Sequence, residues 1–593
     1  LQEKINMEKF NLKELIENRY PGFMKYPALL RRLFVLAAEK TMRSADINKF
    51  LEKNSEVRGM AFIDEIFDFL NFSFYVSHKD SQKIPSEGKV VLVANHPIGS
   101  LDGLALLRAV YNIRRDVKIV ANDILMQIDN LRELFLPYNI EKISAQKQNI
   151  RAIQAALENE EAVIIFPAAE VSRLRGIRIV DKRWNKGPVY FARKFNAPIL
   201  PVFVKARNSA FFYLFSAINK PVSRLLLPRE LFNKKNKTIK FVIGEPIPAK
   251  VFAAGYIDDR IQIKLLKKHV YDIGKNRQGV FLTEKNIIHP VEKKILKKEL
   301  DSSELLGITP DQKKIILADM ENAPNVMKEI ARLREITFRR VGEGTGRKLD
   351  IDSYDRYYKH IVVWDEKELE IVGSYRVGIG REITENFGAA GFYTSTLFEY
   401  SMPFEVKLSE TVELGRSFVQ KKYWNTNALH YLWLGIGAFL AKYNEVKYLF
   451  GGVSLSASYP ENIRKMIVFY FRKWFPAETE MVRAKNIFSI DKVAEKELDA
   501  IFIGKNRKED YNILKNQLRP FGLTVPVLYK HYTELGEDGG VKFLAFGVDP
   551  DFENCIDGLI FIQLNQLKKE KWEKYIQPFL PNPVEKTRLE LIA

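Results

Sequence analysis

The sequence predicts a mixed α/β protein built as two unlike domains, and three observations carry that prediction. At 593 residues the chain exceeds what one hydrophobic core organises, since a domain takes about 100–200 residues. Short β-rich runs alternate with helix-compatible stretches in both halves. No short repeat relates the halves, so they read as different modules rather than copies. With 46% apolar and 28% charged residues the chain is globular in composition throughout.

Four stretches follow. Residues 1–80 read as a helical region; within it YPALLRRLFVLAAEKTM (26–42) has apolar positions at helical spacing, interrupted by Arg31 and Arg32. That pattern suits a packed helix and a membrane-surface helix about equally. Residues 81–255 carry strand candidates Val90–Ala94, Val117–Val120, Ala162–Phe166 and an entry at Pro198, with a helix-compatible stretch near 144–160. FFYLFSAINKPVSRLLL (211–227) is broken by Lys220, Pro221 and Arg224, which fits a shallow membrane contact or a buried hairpin better than a span. The lysine-rich stretch 256–320 is expected to be a partly helical connector. Residues 321–593 hold strand candidates Ile361–Trp364 and Leu369–Arg376, a β-to-helix region at 411–440, and Tyr448–Phe450 running into Gly451 and Gly452.

Composition narrows the partners. A single cysteine, Cys555, supports neither an internal disulfide nor a multi-cysteine metal cluster, and a reducing compartment suits it. There is no run of about 20 apolar residues, and LQEKINMEKF lacks the apolar core of a signal peptide, so any membrane is met from one side. A net charge of +19 can steer the chain toward anionic lipid or an acidic partner protein. Nucleic acid is not the expected partner, because neither a zinc-finger pattern nor a concentrated basic tract is present.

The string NHPIGSLDG sets Asn95 and His96 at the end of a predicted strand and Asp102 across a glycine-containing loop. An imidazole can take the proton of a hydroxyl as its oxygen attacks an acyl carbonyl, and a carboxylate can orient that imidazole. A His–Asp pair tied together for loop structure is the alternative reading. Downstream, FPAAEVSR offers Glu170 and Arg173; Arg173 can neutralise a phosphate or carboxylate, and Glu170 can position it or a polar head group.

These strings, in this order, resemble the glycerolipid acyltransferases: His-x5-Asp stands where His-x4-Asp is usual, FPAAEVSR stands for their FPEGTRS block, and APILPV (197–202) for their fourth motif. The HPIGSLDG form is similar to the hemolysin-like and ornithine-lipid branch. The resemblance spans about residues 80–250 and implies O-acylation of a hydroxyl by an acyl thioester, with His96 as base, Asp102 as its orienter, and Asn95, Glu170 and Arg173 on the substrate side. No metal or cofactor is called for.

In the second half Arg334, Phe338, Glu343, Asp352, Asp355, Tyr357 and His360 precede the string VGSYR. A strand ending at Tyr375 and Arg376 can frame a thioester pocket, with acidic groups upstream holding an amino acceptor; a surface cluster of paired charges has the same composition. The order resembles the amino-acid N-acyltransferases of ornithine-lipid synthesis, relatives of acyl-homoserine-lactone synthases and of the N-acetyltransferase fold. Further matches are ELGRSFV (413–419), the Trp433/Gly435 helix and LFGGVSLS (449–456), with a weaker continuation near Pro526, Tyr529 and Asp549–Phe552. The resemblance implies that Glu413, Arg376 and Arg416 lie near the acceptor or carrier thioester, with Glu413 and Arg376 catalytic. Arg334, Glu343, Asp352, Asp355 and Arg416 then shape the pocket. Trp424 and the aromatic run His430–Trp433 fit an acyl channel or an aromatic core, and the histidines make no zinc pattern.

Together the two resemblances imply the order of a bifunctional ornithine-lipid synthase. The C-terminal domain would transfer a 3-hydroxyacyl group from acyl carrier protein to the α-amine of ornithine, glycine or a related amino acid. The N-terminal domain would acylate the hydroxyl of the resulting lyso-aminolipid. The expected location is peripheral, on the cytoplasmic face of a bacterial inner membrane. Two other readings stay open at this level: a glycerophospholipid O-acyltransferase with an accessory carrier-binding domain, and a noncatalytic membrane scaffold.

Overall fold

The computed structural model of the protein describes residues 43–121, 128–137, 143–218, 226–253, 257–477 and 481–580, with a few isolated positions before 43 and Met126. The expected helix at 26–42 lies largely outside the described residues. The chain divides into two compact units, Leu1–His289 and Pro290–Ala593.

The first unit is organised by a seven-stranded sheet. Its strands are β1 (Ser73–Tyr75), β2 (Val90–Ala94), β3 (Val117–Ala121), β4 (Phe135–Pro137), β5 (Ala162–Ile165), β8 (Ile199–Lys205) and β9 (Thr238–Ile243), while β6 (Arg173–Arg175) and β7 (Arg178–Val180) form a separate hairpin. The order is β1-β9-β8-β2-β5-β3-β4, parallel except where β8 meets β9. Every residue of β2 and β5 is buried, which is why both read as unbroken apolar runs: helices cover both faces of a parallel sheet. Helix α1 (Ser100–Tyr111) follows β2 and helix α2 (Ile143–Glu158) precedes β5. Helix α3 (Ala210–Ile218) takes up the first part of the 211–227 segment, whose residues 219–225 are outside the described ones.

The second unit is built on an eight-stranded sheet of order β10-β11-β12-β13-β15-β16-β19-β18. Its strands are β10 (Glu304–Ile308), β11 (Lys314–Ala318), β12 (Lys359–Asp365), β13 (Glu370–Ile379), β15 (Thr411–Val419), β16 (Tyr448–Leu455), β18 (Val541–Asp549) and β19 (Cys555–Gln563); β14 (Phe398–Tyr400) and β17 (Val482–Ala484) pair separately. Helices α4 (Pro324–Val341) and α5 (Ala428–Lys442) flank it. The lysine-rich stretch 256–320 is not a free connector. Helix Asp259–Ile273 buries Ile263, Leu266 and Val270 in the first unit, whereas β10 and β11 are sheet strands of the second. Lysine-rich composition reports the solvent face of these elements and is silent about the buried one.

One departure from regular pairing positions the chemistry. β15 and β16 pair in parallel only from Thr411–Tyr448 to Glu413–Phe450, after which β15 continues with β13 and β16 with β19. A slot therefore opens between the two strands, and a side chain at Gly415 would meet nothing within 4 Å. At its apex the strands come close enough that a Cβ on Gly451 would collide with the Leu414 carbonyl oxygen. Gly451→Ala is expected to destabilise the second unit by about 1–3 kcal/mol, read as a lower urea midpoint at unchanged slope.

Candidate active sites

His96 stands just beyond the C-terminal end of β2, where ligands collect in open α/β sheets. Its Nδ1 lies 2.9 Å from Asp102 Oδ1. Asp102 is on the first turn of α1 rather than in the expected loop, and its other oxygen accepts from the N–H groups of Ile98 (2.9 Å) and Gly99 (3.3 Å). Those two bonds fix the carboxylate, which is fully buried. Gly99 adopts φ 100, ψ −133, a region that essentially only glycine enters, and this turn makes the His-to-Asp approach. Burial opposes protonation of His96, but Asp102 and then Asp181 outweigh it and raise its pKa above the ordinary value. With Nδ1 turned to Asp102, Nε2 is the nitrogen left to take a proton, and the side chain is 19% exposed.

A second carboxylate, Asp181, holds the same histidine from behind and carries no signal in the sequence. Its Oδ1 accepts from Ser172 Oγ (2.5 Å) and, more weakly, from the His96 N–H (3.4 Å); its Oδ2 accepts from Trp184 Nε1 (2.9 Å). Ser172 N–H in turn donates to the His96 carbonyl (2.7 Å). Burial pushes the Asp181 carboxyl upward. Asn95, expected on the substrate side, is instead a strand tie. Its amide donates to the Val204 carbonyl (3.1 Å) and accepts from the Val204 N–H (2.7 Å), which joins the end of β2 to β8. It is buried, and both its amide nitrogen and its oxygen are engaged with β8. Glu170 sits partly exposed, 3.3 Å from Lys182, rather than on Arg173. Arg173 is buried at the root of the β6–β7 hairpin, with its guanidinium 6.0 Å from the Phe212 ring.

In the second unit three arginines and three aspartates from four elements meet in the interior. Arg334 on α4 reaches Asp350 (3.0 Å) and Asp355 (2.8 Å). Arg376 on β13 donates to both oxygens of Asp352 (2.8 Å to each) and is 3.3 Å from Asp355. Arg416 on β15 lies 3.7 Å from Asp350 and 3.8 Å from Asp352. Asp352 and Asp355 cap a short 3-10 turn reciprocally, each accepting the other's backbone N–H. Burial raises Asp355, but Arg334 and Arg376 outweigh it and hold the carboxyl below the usual range. His360, opposite Arg376 across the β12–β13 ladder and 3.3 Å from Asp355, has its pKa lowered by burial.

Two arginines are aimed by special backbone. Register slips between Ser374 and Arg376 where β13 pairs β15, and Arg416 in the bulge takes φ 48, a left-handed value that turns its side chain toward the aspartates. Its guanidinium stacks between the rings of Tyr393 (4.9 Å) and Phe552 (4.5 Å). Arg376 is 1% exposed and lies 5.0–6.0 Å from the rings of Tyr393, Tyr358 and Tyr354. Among the described residues nothing hydrogen-bonds its Nε or Nη2.

Glu413 does not have the freedom a base needs. It accepts from Tyr358 Oη, from the Tyr393 N–H (2.9 Å), and from both the N–H (2.7 Å) and Oγ1 (2.6 Å) of Thr394. Four donors occupy this buried carboxylate and tie it to the turn at Tyr393, whose ring faces Arg376 and Arg416. Two less committed acids, Glu343 and Asp557, feel the charge of Arg416. Glu343 follows the Gly342 cap of α4 and accepts from Ser454 Oγ (2.9 Å), and Asp557 pairs opposite Ser454 across the β16–β19 ladder. Burial pushes both carboxyls up to about 7, with Asp549 adding to the effect. Asp557, like Asp181, belongs to no motif. Trp424 is half-exposed and donates to the Val419 carbonyl, whereas Trp433 is buried beside Tyr375 and Tyr532.

Known proteins match both halves. Residues 23–278 match a family model described as acyltransferase, and residues 333–434 one described as an acetyltransferase (GNAT) domain. Glycine N(alpha)-acyltransferase of Bacteroides thetaiotaomicron is 35% identical over 50% of this chain and 90% of its own length. Lyso-glycine lipid O-acyltransferase of Phocaeicola vulgatus is 30% identical over 37% of this chain and 81% of its own length. The chain belongs to the aminolipid acyltransferases. It is an enzyme with an N-acyl and an O-acyl half, which sets aside the scaffold reading. A solved CoA-dependent acyl-homoserine lactone synthase, BjaI, aligns over 47% of this chain and 99% of its own at 11% identity and TM-score 0.22, too weak a likeness to weigh.

Two stability measurements check these assignments. Glu413→Ala is expected to lower the stability of the second unit by about 2–4 kcal/mol in urea titration, because it strands buried donors. Carboxyls whose folded pKa is raised bind protons more tightly folded than unfolded, so their contribution falls as pH climbs from about 4 through 7. Asp557→Asn should therefore gain stability relative to the unaltered protein across that window, by about 1–3 kcal/mol at pH 8.

Proposed function

We propose that the chain makes a two-chain aminolipid in two steps. In the second unit an amino acid places its carboxylate on Arg376 and Arg416 and its ammonium toward Glu343 and Asp557. One ammonium proton passes to Glu343; the amine then attacks the carbonyl of a 3-hydroxyacyl thioester lying in the slot between β15 and β16. The C–N bond forms, the C–S bond breaks, and the second proton leaves with the thiol. In the first unit His96 Nε2 takes the proton of the new lipid's hydroxyl as its oxygen attacks a second acyl thioester, and returns it to the departing thiol. Asp102 stabilises the imidazolium between those events.

The observation that carries this reading is the buried guanidinium of Arg376, caged by tyrosines with two N–H-bearing nitrogens unfilled. A buried donor set of this kind is costly without an anion, and a planar carboxylate matches it. Acyl carrier protein is the proposed donor, because a small acidic carrier complements a chain of net charge +19. Glycine is the first-choice acceptor, from the names of the relatives. Ornithine is favoured by a separate observation: Glu343, Asp549 and Asp557 add three carboxyls beyond those paired with the arginines, room for a second ammonium. We place the enzyme peripherally, at the cytoplasmic face of the bacterial inner membrane; among the described residues no helix is long and apolar enough to cross one.

The test is product mass from purified protein given glycine or ornithine, 3-hydroxyacyl carrier protein and a second acyl carrier protein. His96→Ala should accumulate monoacyl aminolipid, with the second step slowed about 10²–10⁴-fold; unchanged diacyl product from that variant rejects the mechanism of the first unit. Arg376→Lys keeps the charge but loses the fork, and should raise the KM for the amino acid about tenfold or more. An unaltered amino-acid KM rejects the carboxylate assignment.

A further inference from the structure

The β6–β7 hairpin leaves and returns to the His96 site. Ser172, just before β6, donates to Asp181, just after β7, and both hold His96 from its backbone side. A two-residue turn, Gly176-Ile177, closes the hairpin, with Gly176 at φ 60. Ile177 is 96% exposed, and Leu174 on β6 is 38% exposed. Helix α3 packs beside β6 and adds Phe211 and Leu214, 48% and 64% exposed, while Phe212 and Tyr213 from the same helix are buried. Leu174, Ile177, Phe211 and Leu214 thus stand as exposed apolar side chains on two elements in contact, and the hairpin that carries the most exposed of them starts and ends at residues that hold the proposed base.

The charges around this patch favour one occupant. Arg175 and Arg178 are paired directly opposite each other across the hairpin, and both are exposed. Like charges in that relation destabilise an antiparallel pair, so fold stability does not account for them. Arg229, also near the surface, stacks on Phe211 with its guanidinium 4.7 Å from the ring. An apolar turn flanked by two exposed arginines, with a third on the neighbouring Phe211, matches a lipid surface with anionic headgroups: the apolar side chains enter the acyl boundary and the guanidiniums stay at the phosphates.

We propose that the β6–β7 hairpin, with the exposed face of α3, seats the first unit on an anionic membrane. A lyso-aminolipid would then move from the bilayer to His96 along the hairpin, without its acyl chain crossing water. The proposal rests on the lipid-acylating reading of His96 for its purpose, but its primary test needs no turnover.

The full-length protein is floated with vesicles of equal parts phosphatidylglycerol and phosphatidylcholine, and with phosphatidylcholine vesicles alone. The unaltered chain should partition onto the anionic vesicles about tenfold more strongly than onto the neutral ones. Ile177→Asp should cut anionic-vesicle binding about tenfold, and Arg175→Ser with Arg178→Ser should remove the preference for anionic lipid. All variants should acylate a lyso-aminolipid dispersed in detergent at the unaltered rate, while Ile177→Asp loses rate on vesicle-embedded acceptor. Undiminished flotation of Ile177→Asp overturns the proposal, as does equal binding of the unaltered chain to neutral vesicles. If no variant and no unaltered protein acylates the acceptor in detergent, the functional reading fails while the flotation result still decides the surface.

Discussion

Charge buried in the second unit has to be neutralised where it lies, and most of that unit's geometry follows from this. Arg334, Arg376 and Arg416 come from a helix and two strands, and Asp350, Asp352 and Asp355 come from one loop and its short turn. None of the six can leave without stranding a partner in a medium that solvates ions poorly, at a cost of about 3–5 kcal/mol for a broken buried pair. Replacing buried ion pairs with well-packed apolar residues is often neutral or stabilising, so fold stability alone does not call for such a set. The protein instead keeps three guanidiniums inside, and two of them, Arg376 and Arg416, have donors that no described residue fills.

The first unit meets the same electrostatic problem on a smaller scale. One imidazole is held between two buried carboxylates, Asp102 through the side chain and Asp181 through the backbone, and each carboxylate is itself held by N–H or O–H donors. Parallel strands end together at one edge of the sheet, so the residues after β2 and β5 face each other without being neighbours in sequence. His96 and Phe166 illustrate it: they follow adjacent strands and their rings lie 4.5 Å apart.

Local sequence and local structure agree best where the signal is periodic. The strand candidates at 90–94, 117–120 and 162–166 correspond to β2, β3 and β5, and those at 361–364, 369–376 and 448–450 to β12, β13 and β16. Agreement fails where a role depends on neighbours from elsewhere. Asn95 beside His96 reads as available to substrate, yet Val204 occupies both ends of its amide. Glu413 is expected to be catalytic, yet Tyr358, Tyr393 and Thr394 fill it with donors. The stretch 256–320 reads as a tether because its lysines report only an outer face.

From the sequence alone come the two-module α/β plan, the His96–Asp102 pair and the cast of arginines and aspartates, because these are written in short strings whose spacing the backbone preserves. Only the tertiary structure decides which carboxylates are spent and which are poised. Asp181, Asp557 and Glu343 owe their environment to burial and to partners that strand register and a helix cap bring beside them. Desolvation belongs to the packed fold, and no spacing of letters encodes it.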